Sequence, residues 1–192
     1  MDFDEKRNII FELYKNSRTV FRINDIAMLM GKEKADALRK ILNYYVKTGK
    51  LLNPRKGFYA KEGYQPEELA CLLYSPTYIS LEYVLQRAGI IFQYDSAITN
   101  VSYLTREVEI DNQTFRYRQI KGEILTNTAG ILLNKDDINI ATPERAFLDM
   151  LYLNKRFYFD NLHVLNKKKI AELMPIYNSG VFTETVNNVL SI

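Results

Sequence analysis

Apolar residues recur at helical spacing along the first 48 residues and predict three helices. The first covers residues 4–16. The second covers residues 25–30, with Asn24 as its N-cap, and ends at Gly31, because glycine readily adopts the left-handed conformation found after helices. Its inward-facing residues are Ile26, Leu29 and Met30. The third covers residues 34–48, and its buried stripe is Ala37, Leu38, Ile41, Leu42 and Tyr45.

Short extended segments accompany these helices. Val20–Phe21, Leu51–Leu52 and Phe58–Ala60 read as strand pieces. Between the last two, the sequence NPRKG (residues 53–57) predicts the tip of a hairpin, in which Pro54 and Gly57 shape the turn. Two helices joined through a glycine turn, with a helix before them and a hairpin after them, predict a winged helix-turn-helix.

The remainder of the chain predicts a second domain. Residues 61–68, KEGYQPEE, lack periodicity and read as a linker, so we place the domains at 1–64 and 65–192. Helices are predicted at 66–73, at 81–88 with Ser80 as cap, from Thr142–Pro143 onward, and twice between 167 and 190. Strands are predicted at 97–103, 108–110, 114–120, 130–133 and 138–141, with a tight hairpin at Asp111–Asn112. The fold class is therefore α+β: a winged helix-turn-helix followed by a mixed domain with a mostly antiparallel sheet and terminal helices.

Charge is distributed unevenly along the chain. Residues 1–64 carry 14 Lys and Arg against 8 Asp and Glu, a net charge of +6, whereas residues 65–192 carry a net charge of −3. A basic first third indicates a part of the protein that meets a polyanion. If the apolar stripe of the third helix is buried, its polar side is exposed and duplex DNA is the expected partner. The predicted DNA-binding residues are Lys32, Lys34, Arg39, Lys40, Asn43, Lys47, Arg55 and Lys56.

Within this set the side chains have different expected roles. Lysines reach phosphates, whereas Arg39 and Asn43 have the fork geometry that reads guanine and adenine edges. Asp36 is repelled by phosphate, and we favour its pairing with a neighbouring lysine or arginine along the helix. Most exposed helices carry a solvated charged face, and some winged helices bind only proteins. A protein-interaction module without DNA binding is therefore the alternative interpretation.

A second basic surface is a further possibility. In Phe115-Arg116-Tyr117-Arg118 the aromatic rings and the guanidinium groups fall on opposite faces of one strand. The ordinary interpretation is rings in the core and arginines in solvent. The alternative is a polyanion-contacting surface made of Arg116, Arg118 and Lys121.

Catalytic and metal-binding signals are weak. The chain has one histidine, His163, and one cysteine, Cys71, which we expect to be a buried structural thiol. Glu144 and Asp149 make a poor catalytic pair, because five residues separate them on a helix; Arg145 and Asp149 can instead pair at i, i+4. No glycine-rich phosphate loop is present. We expect no enzyme activity, no cofactor and no metal. Without a membrane-length apolar run or a signal-peptide layout, we expect a cytoplasmic protein without membrane contact.

A series of short motifs resembles the AbiEi-type antitoxins of type IV toxin–antitoxin (abortive infection) systems. The matching pieces, in chain order, are Lys56-Gly57-Phe58-Tyr59, Tyr78-Ile79-Ser80 with Glu82 and Gly89, Ile98-Thr99-Asn100, and Thr142-Pro143-Glu144-Arg145 with Leu148-Asp149. The resemblance covers most of residues 5–155. Val84 departs from the small residue common in the family, and the last 40 residues or so match nothing in its pattern.

The resemblance implies a phage-defence function. A protein of this family is expected to bind inverted repeats in its own promoter through the winged helix and to repress its own operon. Its second domain is expected to counter a nucleotidyltransferase-like toxin without forming a stable complex with it.

Overall fold

The computed structural model describes the backbone of residues 3–31, 35–133 and 138–190 and the side chains of residues 9–31, 37–133 and 138–190. These residues divide into two compact units, the first ending at Leu69 and the second beginning at Ala70. Both helices and strands occur in each unit, so the protein is a mixed α+β protein. Within the described residues no helix has the length and apolar character needed to cross a bilayer.

The first unit combines helices with a small antiparallel sheet. Its elements are α1 (Phe3–Lys15), β1 (Val20–Arg22), α2 (Ile23–Leu29), α3 (Ala35–Lys47), β2 (Leu52–Arg55) and β3 (Phe58–Ala60). The described strands of this sheet lie in the order β1-β3-β2. Its core is formed by Ile9, Leu13, Phe21, Ile26, Leu38, Ile41, Leu42, Tyr45, Leu51 and Tyr59. The predicted stripe of α3 is confirmed, with Ala37 half-buried at its edge.

Two details of α2 differ from the prediction. The helix begins two residues earlier than expected, so Asn24 lies inside it and is not its N-cap. The Asp25 carboxylate accepts the Arg22 backbone N–H at 3.2 Å and stabilises this start. Ile26 is fully buried and Met30 packs partly buried against the core, as predicted, whereas Leu29 is exposed and its predicted inward position is wrong. Gly31 has φ +60°, as its predicted role at the helix end requires.

The boundary between the two units falls within α4 (Pro66–Leu73). This helix starts at the predicted proline, whose missing N–H costs nothing at the first helical position. Glu68 in its first turn is buried, and one carboxylate oxygen accepts the backbone N–H groups of Thr19 at 2.7 Å and Val20 at 2.8 Å. These bonds fasten the start of α4 to β1 of the first unit.

The second unit is built on a mixed sheet. Its strands are β4 (Thr77–Ile79), β5 (Ile98–Ser102), β6 (Arg106–Ile110), β7 (Gln113–Gln119), β8 (Ile131–Leu133) and β9 (Asn139–Ala141). In the described part of the chain the order is β6-β7-β5-β4-β9-β8. The pairs β4–β9 and β5–β7 are parallel and the other pairs are antiparallel. Asp111 and Asn112 both have positive φ, which confirms the predicted tight hairpin between β6 and β7.

Helices complete the second unit. They are α5 (Glu82–Arg87), α6 (Gly122–Thr126), α7 (Pro143–Leu153), α8 (Lys167–Leu173), a 3₁₀ helix (Met174–Tyr177) and α9 (Gly180–Leu190). The predicted start of α7 is confirmed, because Thr142 caps the helix by accepting the Arg145 N–H and Pro143 follows it. The predicted cap of α5 is wrong: Leu81 is the N-cap residue, and the Ser80 hydroxyl is used elsewhere.

Candidate nucleic-acid interface

One side of α3 carries four of the predicted DNA-binding residues. Arg39, Lys40, Asn43 and Lys47 are all exposed. At 3.6 residues per turn these positions fall within an arc of about 100° around the helix axis. Leu38, Ile41, Leu42 and Tyr45 occupy the buried side. The alternation of buried and polar positions in the sequence therefore produces a single polar face, which we call the α3 face (Arg39, Lys40, Asn43 and Lys47).

A side-chain hydrogen bond joins the α3 face to the sheet. The hydroxyl of Tyr59 on β3 donates to Asn43 Oδ1 at 3.3 Å. Burial raises the pKa of Tyr59, and the nearby positive charge of Arg39 opposes that shift. Arg39, Asn43 and the Tyr59 hydroxyl therefore lie close together, and Asn43 Nδ2 has no partner among the described residues.

The hairpin between β2 and β3 has a shorter tip than predicted. Arg55 pairs with Phe58, so the turn consists of Lys56 and Gly57, and Gly57 has φ +86°. Pro54 lies in β2, where a proline is tolerated because β2 is an edge strand. Arg55 is half-buried within the same strand, so the interpretation of both residues as tip residues is wrong. Lys56 alone is the exposed cation of the tip.

Short hydrogen bonds brace this turn. Asn53 Nδ2 donates to the carbonyls of Arg55 at 3.1 Å and Phe58 at 2.6 Å. The Gly57 carbonyl accepts the N–H of Ile23 at 3.0 Å, which ties the turn to the start of α2. Because these bonds already fix the turn, ordering Lys56 costs less conformational entropy than it would in a mobile loop.

Three lysines of this region have no acidic partner among the residues whose side chains the structure describes. In the part of the chain that the structure describes, the side chains of Lys40, Lys47 and Lys56 make no ion pair. Lys32 and Lys34 lie outside the described residues, as does the side chain of Asp36. Cations without an internal partner retain their full capacity to bind phosphate.

The proposed second basic surface is partly neutralised. Phe115 and Tyr117 are fully buried, as the ordinary interpretation of the strand predicts. Arg116 binds Asp95 at 2.7 Å and Glu107 at 2.9 Å. Hydrogen bonds from Glu107 and Asp95 raise the pKa of Arg116, so this arginine is a charged but internally satisfied group. Lys121 is exposed and Arg118 is half-buried, and their role as a polyanion surface stays a prediction.

A buried ion pair occupies α7. Arg145 and Asp149 are both fully buried and pair at i, i+4, with Nε to Oδ1 at 3.3 Å, which confirms the predicted pairing. The Arg145 guanidinium also donates to the carbonyls of Ile124 at 2.7 Å and Ala129 at 2.9 Å, and to the hydroxyl of Tyr78 at 3.1 Å. Desolvation opposes ionisation of Arg145, but Asp149 and the surrounding oxygens raise its pKa overall.

Asp149 accepts hydrogen bonds from three hydroxyl groups in two other segments. It accepts from Tyr177 at 2.7 Å, Ser80 at 2.9 Å and Tyr78 at 3.0 Å. Burial raises the pKa of Asp149, and Arg145 with the three hydroxyls opposes this shift. Burial also raises the pKa of Tyr78 and Tyr177, so both stay protonated donors. We call Tyr78, Ser80, Arg145, Asp149 and Tyr177 the buried network.

The buried network is a polar cluster in the core of the second unit. Its members are closed off from solvent and occupied by one another, so a substrate finds neither access nor an unpaired group. Sequence reasoning found its Arg145–Asp149 pair but missed Tyr78, Ser80 and Tyr177. The 28 residues or more that separate these three side chains from Asp149 leave no local signal in the sequence.

The cysteine and the histidine of the chain lie in different segments of the second unit. Cys71 is buried in α4, and its thiol points to the Asn139 carbonyl at 3.7 Å, which confirms the structural interpretation. His163 is exposed in the segment between α7 and α8. Among the described residues no group of three His, Cys, Asp or Glu side chains is arranged to hold a metal ion.

Neither a protein-family model nor a curated protein matches this chain.

Proposed function

We propose that the first unit is a winged helix-turn-helix that binds duplex DNA, with α3 as the recognition helix and the β2–β3 hairpin as the wing. The observation that carries this proposal is the α3 face: four exposed polar residues in one narrow arc, backed by a fully apolar side. An α-helix fits into the major groove of B-DNA, where its exposed side chains can reach the bases. The net charge of +6 on residues 1–64 supports a polyanion as the partner.

Each side chain has a proposed role. Lys40, Lys47 and Lys56 bind phosphates, because they are exposed and make no ion pair within the described residues. Arg39 and Asn43 reach base edges, and the Tyr59 hydroxyl orients the Asn43 carboxamide. On the basis of the sequence, we also propose that flanking phosphates are bound by Lys32, Lys34 and Arg55.

We further propose that the chain is the antitoxin of a type IV toxin–antitoxin pair and represses its own operon. The support is the order of AbiEi-like motifs. Tyr78, Ser80, Arg145 and Asp149, which carry part of that resemblance, meet in the buried network. These motifs therefore specify the core of the second unit, which is the part proposed to counter a nucleotidyltransferase-like toxin.

An interaction module without DNA binding is the second candidate. Met28 and Leu29 on α2 are exposed, Met28 at 82 %, and Phe11 on α1 is exposed as well. Large exposed apolar side chains favour contact with another protein. Retention of a stable protein partner on the immobilised full chain, with no shift of any duplex, would support this candidate over DNA binding.

A gel shift tests the DNA-binding proposal. The full chain is titrated against a duplex from its own upstream promoter and against a scrambled duplex of equal length. We expect a shift of the promoter duplex at lower protein concentration. Equal affinity for both duplexes would refute operator recognition. The antitoxin role predicts that a neighbouring gene encodes a nucleotidyltransferase whose toxicity is relieved by co-expression of this chain, and failure to restore growth would refute that role.

A further inference from the structure

Three aromatic side chains of the second unit are unusually exposed. Phe92 is exposed at 70 %, Tyr94 at 79 % and Tyr158 at 78 %. Phe92 and Tyr94 lie in the segment between α5 and β5, and Tyr158 lies in the segment after α7. Exposed rings of this size offer flat apolar faces to a ligand if the two segments adjoin.

Hydrogen bonds place these two segments side by side. The Ile90 carbonyl accepts the N–H groups of Asp160 at 3.0 Å and Asn161 at 3.1 Å, and the Phe92 N–H donates to Asp160 Oδ2 at 2.8 Å. Burial alternates along the second segment, with Phe159 inside and Tyr158 and Asp160 outside. Tyr158 is therefore exposed two residues before the carboxylate that holds Phe92.

Cations flank the rings. Arg87 ends α5 directly before the first segment, and its guanidinium lies 3.4 Å from the ring centre of Tyr83. Lys155 and Arg156 precede Tyr158 and are exposed. Of the nearby carboxylates, Asp95 pairs with Arg116, whereas Asp160 accepts the Phe92 N–H and keeps its negative charge. Arg87, Lys155 and Arg156 outnumber Asp160, so the local charge is positive although residues 65–192 carry −3 in total.

We propose that Arg87, Phe92, Tyr94, Lys155, Arg156 and Tyr158 form a binding surface for single-stranded nucleic acid, here named the ring–cation surface. Unpaired bases stack on exposed aromatic rings, and their phosphates bind the neighbouring cations. Duplex DNA cannot use the rings, because its bases are already stacked inside the helix. The proposal goes beyond the DNA-binding function of the first unit and does not depend on it.

The surroundings of the rings favour a nucleic acid over a protein partner. Gln93, Ser96, Asn154 and Asn161 lie between and beside them, so the rings stand singly in polar surface. The buried centre of a protein interface is apolar and depleted in charge, which this surface is not. Stacking, in contrast, needs only an open ring face beside a cation.

Fluorescence anisotropy with labelled oligo(dT) of about 12 nucleotides tests the proposal on the full chain. We expect salt-sensitive binding that the double variant Tyr94→Ala/Tyr158→Ala weakens about tenfold or more. The conservative pair Tyr94→Phe/Tyr158→Phe retains the rings and is expected to bind like the unmodified protein. Tyr103→Ala, which removes an exposed tyrosine at the other end of β5, is the matched control and is expected to have no effect.

The same assay separates this surface from the proposed recognition helix. Arg39→Ala/Lys56→Ala is expected to lose promoter duplex binding and to keep oligo(dT) binding. The proposal is overturned if the unmodified chain does not bind oligo(dT), or if Tyr94→Ala/Tyr158→Ala binds it unchanged. It is also overturned if the rings prove necessary only for adsorption to anionic vesicles or for self-association.

Discussion

Tyr177 donates a 2.7 Å hydrogen bond to Asp149, and this bond joins the 3₁₀ helix near the end of the chain to the middle of α7. Both residues are buried, so the carboxylate depends on protein donors in place of water. Rings of Tyr152 and Phe182 lie against Tyr177 and close the contact from the side. The bond therefore fastens the C-terminal helices to the rest of the second unit.

Removing the Tyr177 hydroxyl should destabilise the protein. In Tyr177→Phe the ring contacts remain, but Asp149 loses a donor, and hydrogen bonds to charged groups contribute about 1.5–3 kcal/mol. We expect the free energy of unfolding in urea to fall by that amount. Tyr152→Phe is the control, since this neighbouring tyrosine has no described hydroxyl partner. Equal stability of the two variants would contradict the role assigned to the bond.

Truncating Arg145 should lower the free energy of unfolding more than removing the Tyr177 hydroxyl does. Arg145→Met keeps much of the side-chain volume but leaves the Asp149 charge buried without its cation, a change that costs about 3–5 kcal/mol in comparable buried pairs. The carbonyls of Ile124 and Ala129 lose their donor as well. Thermal and urea unfolding measure the effect. A variant as stable as the unmodified protein would show that the buried network contributes no net stability.

The pair of Asp95 and Arg116 should make stability depend on pH. Partial burial disfavours the charged form of Asp95, but the Ala97 N–H and Arg116 lower its pKa overall. Asp95 therefore stabilises the fold above its unfolded pKa of about 3.9, and this contribution is lost as pH falls through its lower folded pKa. Both side chains are about one-third exposed, so we expect less than about 1 kcal/mol.

Urea unfolding of Asp95→Asn at neutral pH and at acid pH checks this dependence. We expect the variant to be less stable than the unmodified protein at neutral pH and the difference to shrink on acidification. Glu109→Gln, which changes an exposed carboxylate of β6 with no described partner, is the control and should show no such trend. A deficit for Asp95→Asn that is independent of pH would contradict the assignment.

Local patterns predicted much of the architecture because their signals are local. Helices α1 and α3 lie within one residue of the predicted bounds, and α4 begins at the predicted Pro66. The Asp111–Asn112 hairpin was predictable because these two residue types tolerate the positive φ that a two-residue turn requires. In each case the residues that specify the structure are neighbours in the chain.

Errors occurred where tertiary contacts override local preference. Ser80 is a strong helix-capping residue, but its hydroxyl donates to Asp149, 69 residues away. The central strand β4 was missed, because its three residues are all buried and therefore show no alternation of polar and apolar positions. Two of these residues, Thr77 and Tyr78, make buried hydrogen bonds to groups more than 20 residues away.

The residues of the candidate interface also differ in whether local sequence could predict them. The α3 face follows from helical periodicity alone, so its exposed residues were predictable. The position of Arg55 was not, because the sequence NPRKG allows more than one turn length and the structure places Pro54 and Arg55 in the strand. The ion pairs of Arg116 were also unpredictable, since one partner comes from β6 and the other from the loop before β5.

The salt dependence of binding to the promoter duplex tests the central claim most directly. Anisotropy titrations over a range of salt concentrations compare the unmodified chain with Lys40→Gln on the α3 face and with Lys15→Gln, the same charge change on α1. If α3 lies along the duplex, Lys40→Gln lowers the slope of log affinity against log salt by about one, and Lys15→Gln leaves it unchanged. Identical slopes for all three proteins would contradict the assignment of α3 as the DNA-binding helix.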